Sequence, residues 1–377
     1  MVKKIVLLGS AYPYKVGSSQ FNERLAQEFG SNDFDITIFT FTLQYPSFLF
    51  PGKSQFSDKE KPEGLKIVRK INTINPFNWI KVGQELKRLK PDIVLIRYMM
   101  PFMSPSMGTI ARIAKSNKIT KIIGLIDNAI PHEKRFGDNL LSKYFFKPID
   151  NFLYMSDKVK RDIATFGIEN NTAFCPHPLF DFYGEKTSKK YAAENLNIAV
   201  NPSYILFFGI IRNYKGLDLL LNAFNHQYFK DNNIKLLVAG EFYSDYEKYE
   251  TLIKELQLEE QVIVHNRFIP DAEVSSYFSL SDLLVLPYKS ATQSGVTQVG
   301  FFYDTPMIVT NVGGLGELID KGIGYIVEPN SEEIQTALID FYQNKRQQAM
   351  SSSVSIKKQD FSWKRMVDTI NKISDEN

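Results

Sequence analysis

One cysteine, two tryptophans and four histidines in 377 residues leave little material for several chemistries. Cys175 cannot close an internal disulfide, which fits a reducing compartment. No spacing of His, Cys, Asp or Glu reads as a structural metal site. No stretch approaches the ~18 apolar residues of a membrane span. The basic-then-apolar start, MVKKIVLLGSAYPYK, is too short for most signal-peptide cores, and a βα pattern follows at once, so it reads as a first strand. A cytoplasmic protein is expected. Also missing is a G-x-G-x-x-G turn: the two places where it would fall read GSAYPYKVGSS and GIIRNYKG, which removes the best marker of dinucleotide binding.

What is present is the composition of a globular protein, 44% hydrophobic and 23% charged, long enough for about two domains. Net charge is +3 but unevenly spread: residues 1–183 hold 26 Lys and Arg against 17 Asp and Glu, and residues 184–377 hold 19 against 25. A basic half suggests contact with an anionic surface or substrate, although surfaces also vary without purpose. Strand-length apolar runs alternate with helical patterns, the signature of parallel α/β folds. Strands are predicted at 3–9, 35–41, 65–70, 92–98, 121–127 and 151–156, then again at 204–210, 234–241, 261–266, 282–288, 306–311 and 324–329. Helical spacing is clearest at 20–29, 78–89, 215–224 and 246–256. Two Rossmann-like units in tandem follow, with a cleft between them beyond the carboxyl ends of the strands.

Two segments of the second half suggest an anion site. GIIRNYKGLD (209–218) puts Arg212 and Lys215 at a strand end, where a guanidinium fork and a mobile ammonium suit a phosphate; a solvated turn is the plainer reading. SATQSGVTQ (290–298) has no charge and little bulk. If a helix resumes near Val296, the amides around Thr292, Gln293, Ser294 and Gly295 favour an anion at its N-terminus, and Gly295 lets a ligand approach the backbone. Ser294 and Thr292 serve equally as helix caps.

These segments, together with AGE (239–241), VIVHNRFIPDAEV (262–274), DLLVLPYKSATQSGVTQ and PMIVTNVGGLGEL (306–318), resemble retaining GT-B glycosyltransferases of family 4, in a subset with TQSG in place of the first glutamate. The resemblance implies an acceptor-binding domain at 1–183, a nucleotide-sugar-binding domain at 184–360 and a terminal helix at 361–377 crossing back to the first domain. It implies that Arg212 and Lys215 bind the donor's diphosphate. This chain has Ile210 where the family pattern has arginine after the glycine, and its arginine comes two positions later. The paired glutamates of the family are absent, and Gln298 is the candidate for the ribose hydroxyls, with Glu241 and Ile269 near the base. His132, in IIGLIDNAIPHEKRFGD, is expected at the transferred sugar or acceptor with Asn128 nearby; Gly17 and Ser18 form a glycine loop toward the sugar, or a plain helix cap. Asp33-Phe34-Asp35 looks like the metal motif of the other major glycosyltransferase fold, but turn chemistry explains both aspartates.

The resemblance thus implies transfer of a sugar from a nucleoside-diphosphate sugar to a hydroxyl of a glycan or lipid-linked glycan, without metal or cofactor and without a nucleic-acid partner. A nucleotide-sugar epimerase of the same fold and a non-catalytic sugar or nucleotide binder stay open as alternatives. Aromatic and methionine clusters at 43–51 and 98–105 read as core or loop packing; exposed beside the basic first half, they would suit peripheral contact with the inner face of a membrane.

Overall fold

A computed structural model describes the chain except for residues 1, 15–16, 47–54, 57–59, 132–135, 244–245, 292–293 and 377. The chain divides into two compact units, residues 1–177 with 363–377, and residues 178–362. The division falls six residues before the 183/184 boundary read from the sequence, because the segment from Pro178 packs with the second unit: Leu179 N–H donates to the Phe361 carbonyl at 3.0 Å.

The first unit holds strands β1 (Lys4–Leu8), β2 (Asp35–Leu43), β3 (Ile67–Asn72), β4 (Ile93–Tyr98), β5 (Lys121–Ile126), β6 (Asn151–Tyr154) and β7 (Thr172–Phe174). They form one parallel sheet in the order β3-β2-β1-β4-β5-β6-β7. Both faces are covered, which is why these strands read as continuous apolar runs. Along β1, Val6 and Leu8 point into one core and Ile5 and Leu7 into the other, following the two-residue period of a strand. Strand β7 escaped prediction: its three residues, Thr-Ala-Phe, are half-buried or exposed at the sheet edge.

Helices Pro76–Leu89, Ser104–Lys115, Asp138–Phe146 and Asp157–Ala164 contribute to the core on one face of this sheet. On the other face lie Gly17–Ser31 and the terminal helix Trp363–Asp375. The terminal helix inserts Trp363, Met366, Val367, Ile370 and Ile373, spaced at helical intervals, into the second core. Buried Cys175 joins the same core, and burial pushes its thiol up to about 11, so it is not a reactive thiolate.

The second unit repeats the plan with β8 (Ser203–Phe208), β9 (Ile234–Ala239), β10 (Val262–His265), β11 (Leu283–Leu286), β12 (Met307–Thr310) and β13 (Gly324–Val327). Its parallel sheet runs β10-β9-β8-β11-β12-β13. In both sheets the strand order reverses direction next to the first strand. The helices that follow β8 and β11 pack on opposite faces of the sheet, which makes this the switch point beyond whose strand ends open α/β sheets place a ligand crevice.

The terminal helix generates a test of the fold. Trp363 is 3% exposed and stacks edge-on against Phe21 with ring centroids 5.0 Å apart. Trp363→Ala is expected to cost about 3–5 kcal/mol in chemical denaturation, the usual range for removing a buried large aromatic side chain. An unfolding curve unchanged from the parent chain would show that the helix is not part of the first unit's core.

Candidate functional site

Strands β8 and β11 are neighbours, with Leu283 opposite Ile205 and Leu284 opposite Leu206. The chain therefore delivers two segments to the same crevice: residues 209–216 after β8 and residues 287–296 after β11. Sequence spacing alone separates Lys215 from Ser294 by nearly 80 positions, and only the strand order brings them together.

After β8 the chain passes through Gly209, whose φ of 99° lies in the left-handed region. Ile211 then pairs with the segment beyond β9: its N–H donates to the Glu241 carbonyl at 2.9 Å, and Tyr243 N–H donates to the Ile211 carbonyl at 2.9 Å. Residues Asn213–Lys215 make a 3-10 turn, and a regular helix starts only at Leu217. Lys215 thus sits in the turn rather than on the predicted helix. A side-chain carbon placed on Gly209 would lie 3.2 Å from Lys215 Nζ and 3.5 Å from Val296 Cγ2. The ammonium and the first turn of the Gly295–Phe302 helix consequently meet across one glycine.

Lys215 is only 8% exposed. Its pKa is lowered to about 8, first by burial and then by the charge of Arg212. Among the described residues no carboxylate pairs with it. Its nearest support is the ring of Tyr288, 5.4 Å from Nζ to centroid, a cation–π contact that offsets part of the desolvation. Tyr288 is buried, and its hydroxyl lies 3.2 Å from Ser294 Oγ. One tyrosine therefore touches both the lysine and the residue that caps the helix. Further braces hold the two segments: Lys289 N–H donates to the Tyr214 carbonyl at 2.7 Å, Lys289 Nζ pairs with Asp218 at 2.6 Å, and Tyr214 packs edge-on against Tyr288. Sequence reasoning missed Tyr288. The available signal was an aromatic closing an otherwise aliphatic strand run, DLLVLPY, just before a polar loop.

Arg212 is exposed, with its guanidinium over the Tyr243 ring at 5.4 Å. It lies close enough to Lys215 to lower that group's pKa, and is the exposed one of the two cations. Ser294 is the N-cap, accepting the Val296 N–H on its hydroxyl at 3.3 Å. The Val296 amide is thus not bare, a correction to the row of unpaired amides expected from the sequence. Gly295 serves a different close approach from the one predicted: an added Cβ would fall 2.6 Å from Phe180 Cε2, so a protein ring occupies the space beside it. Gln298 is 1% exposed, and its Oε1 has no partner among the described residues. It points inward rather than being presented to a ribose. Ile269 is buried in a core, and Glu241 is half-buried with its carbonyl taken by Ile211; they follow the edge strand β10 and its neighbour β9. Thr292 and Gln293 lie outside the described residues.

In the first unit, Gly17 opens its helix and is exposed, while Ser18 and Asn128 are half-buried. Arg97, on β4, gathers these segments: it pairs with Asp127 at 2.7 Å and donates to the Ser18 carbonyl and to Asn22 Oδ1, each at 3.4 Å. His132 lies outside the described residues. Asp33 sits at a φ of 63° in a turn and Asp35 pairs with Lys66 at 2.7 Å, which accounts for the Asp-x-Asp spacing.

Residues 188–358 match the family model described as glycosyl transferases group 1. The match lies within the second unit. An uncharacterized glycosyltransferase of Methanocaldococcus jannaschii is 26% identical over 385 aligned positions, covering 100% of this chain and 99% of that protein. A putative teichuronic acid biosynthesis glycosyltransferase of Bacillus subtilis is 22% identical, covering 91% and 90%. Among solved structures, a glycosyltransferase from Rickettsia africae superposes with a TM-score of 0.75 at 17% identity, covering 100% of this chain and 98% of that one. Anabaena Alr3699/HepE in complex with UDP superposes with a TM-score of 0.72 at 14% identity, covering 98% and 100%. The chain as a whole carries the GT-B fold, and β8 and β11 both lie within the residues that match the family model.

The buried ammonium makes a prediction about stability. With a folded pKa of about 8 against 10.5 unfolded, the unfolded chain binds more protons between those values, so the penalty is full below about pH 8 and is relieved as pH rises toward 10.5. At 1.36 kcal/mol per unit the penalty is up to roughly 3 kcal/mol. Lys215→Met should therefore raise the unfolding midpoint at pH 7, with the gain shrinking steadily between pH 8 and 10. A variant less stable than the parent at pH 7 would show that the charge is not a burden to the fold.

Proposed function

We propose that the protein is a retaining, metal-independent hexosyltransferase of the TQSG-bearing subset of family 4. It moves a sugar from a nucleoside-diphosphate sugar to a hydroxyl of a glycan or lipid-linked glycan. The observation that carries this reading is Lys215: a buried cation with no counter-anion among the described residues, held beside a helix N-terminus at the ligand crevice of a glycosyl transferases group 1 domain. An uncompensated buried charge is costly unless it is paired, and a diphosphate supplies the missing charge.

In the proposed reaction the bond between the anomeric carbon and the diphosphate oxygen breaks, and negative charge grows on the leaving phosphate. Lys215, Arg212 and the N-terminus of the Gly295–Phe302 helix act on that charge more strongly in the transition state than in the ground state. The acceptor hydroxyl attacks from the face that the diphosphate leaves, and a phosphate oxygen receives its proton, so configuration is kept without a protein nucleophile. Tyr288 is a positioning residue, keeping Lys215 and Ser294 in place before the donor arrives. His132 and Asn128 are proposed for the acceptor side, and Gly17 and Ser18 for the sugar. Structures of a relative of this fold with UDP and with UDP-glucose support the donor class, and the lipopolysaccharide N-acetylglucosaminetransferase of Salmonella typhimurium, 28% identical over 187 aligned positions, supports a glycan acceptor.

The test is calorimetric. Near pH 8.5 much of Lys215 is neutral in the free protein, and pairing with a diphosphate restores its ordinary pKa. Binding of a nucleoside diphosphate from a screened panel should then take up most of one proton, seen as a dependence of the heat on the buffer's ionisation enthalpy. At pH 6.5 Lys215 should take up none, and Lys215→Met should lose the pH 8.5 uptake and weaken turnover by about 10²–10³-fold, the range for removing one donor aimed at developing charge. Binding with no proton uptake at pH 8.5 would place the diphosphate elsewhere. Interconversion of free nucleotide-sugars without acceptor would make the protein an epimerase.

A further inference from the structure

An amine attacks through its lone pair, which the ammonium form lacks, so the burial that disfavours a charged lysine also makes it a nucleophile. Two lysines among the described residues are held below the ordinary value, Lys186 and Lys215. With its pKa at about 8, roughly a quarter of Lys215 carries a free lone pair near pH 7.5, against about one in a thousand for a lysine at 10.5. That supplies the nucleophile. The surroundings decide which product it can hold.

Around Lys186 they oppose an anionic product. Its Nζ donates to the Tyr303 carbonyl at 2.8 Å, and Asp304 lies close enough to pull its pKa back up. Around Lys215 the balance has the other sign. Arg212 opens the same turn, and its guanidinium lies over the Tyr243 ring. From the segment after β11, Tyr288 faces Nζ with its ring, and burial raises its pKa, so it stays protonated and supplies no anion. The Gly295–Phe302 helix brings its N-terminus to the same place. The next cation along, Lys289, is already paired with Asp218 at 2.6 Å. Gly209 lacks a side chain that would fill the space beside Nζ, where an added carbon would lie 3.2 Å away.

We infer that Lys215 is a carbamate site, at which dissolved carbon dioxide converts the buried amine into an N-carboxylate. The Nζ lone pair attacks the carbon of CO2 and one C=O π pair moves onto oxygen. The proton left on nitrogen passes to water or buffer, so amine plus CO2 gives carbamate plus H+, with no oxidant or reductant. The new carboxylate supplies in place the anion that Arg212 and the helix N-terminus lack. Two repelling cations become a cation beside an anion. A crevice changed in this way turns phosphate away, so dissolved CO2 competes with an anionic ligand. That competition rests on the diphosphate role proposed for Lys215; the modification does not.

The full chain is incubated with isotopically labelled bicarbonate at a pH near the Lys215 value of about 8, and carbamates are trapped as ethyl esters with triethyloxonium. Peptide mass spectrometry should find the trapped group at least about tenfold more abundant on Lys215 than on Lys186 or on the exposed Lys364 and Lys372. Lys215→Met should remove the carbamate carbon resonance, and Arg212→Gln should lower occupancy about threefold or more. Labelling of Lys215 no greater than that of the exposed lysines, a resonance that survives Lys215→Met, or occupancy unchanged in Arg212→Gln would overturn the inference. Saturating inorganic pyrophosphate should suppress the label. A label that persists beside bound pyrophosphate keeps the carbamate and counts against the diphosphate role; pyrophosphate binding with no label on Lys215 removes the carbamate and leaves that role intact.

Discussion

The second unit is organised around an ammonium group taken out of water with no counter-anion among the described residues. Lys215 is held in a tight turn at the carboxyl end of β8, and the segment beyond β11 closes over it. Burial opposes the charge, and Arg212 adds to the opposition. Nothing intrinsic to folding requires such an arrangement; a methionine would fill the same space at lower cost. Its persistence makes sense if the compensating charge arrives with a ligand, because a preorganised cation then acts on developing negative charge without waiting for water to reorient.

The surrounding residues follow from that constraint. Tyr288 lends its ring face to Lys215 and its hydroxyl to Ser294, so the contact that tolerates the cation also fixes the helix cap. Lys289 ties the same segment to Tyr214 and Asp218. The two segments are therefore tied to each other by contacts within one unit. Arg212 is the exception. Exposed over Tyr243, it retains freedom to swing toward a bound group.

Much of this was legible before any coordinates. Every one of the twelve apolar runs became a strand, because a parallel sheet covered on both faces writes itself as uninterrupted Val, Ile and Leu. The cation pair and the uncharged SATQSGVTQ segment were also visible. Three things were not. The adjacency of β8 and β11 is a property of strand order, which apolar periodicity does not encode. The inward turn of Gln298 depends on which side of a short helix meets the core, and that helix is apolar nearly all round, so no polar face marks its register. The ring of Phe180 against Gly295 joins positions more than a hundred residues apart, and a glycine in a Ser-Gly pair reads equally as a ligand approach or a packing contact. The cluster at 98–105 stayed open between packing and membrane contact for a related reason, since aromatic and methionine content fits burial and exposure alike until the neighbouring helices are placed; it packs against the core. Most of the other cluster, residues 47–51, lies outside the described residues.

A comparison within the molecule sets the buried lysine against a second buried cation. Each sheet carries a buried cation near the point where its strand order reverses. In the first unit this is Arg97, 8% exposed, whose guanidinium meets Asp127 at 2.7 Å and lies over the Phe21 ring at 4.0 Å. That charge is already neutralised, and its remaining donors go to Ser18 and Asn22; it fastens segments together and has little affinity left for an anion. Lys215 lies instead in the turn after β8, the strand that takes the place of β1 in the second sheet, with an aromatic ring beside it and no carboxylate among the described residues. The two sites share fold, depth and sign, and differ by one missing counter-charge. Arg97 has its counter-charge within the fold, Lys215 has none among the described residues, and on that difference rests the proposal that an anionic ligand belongs with the second unit.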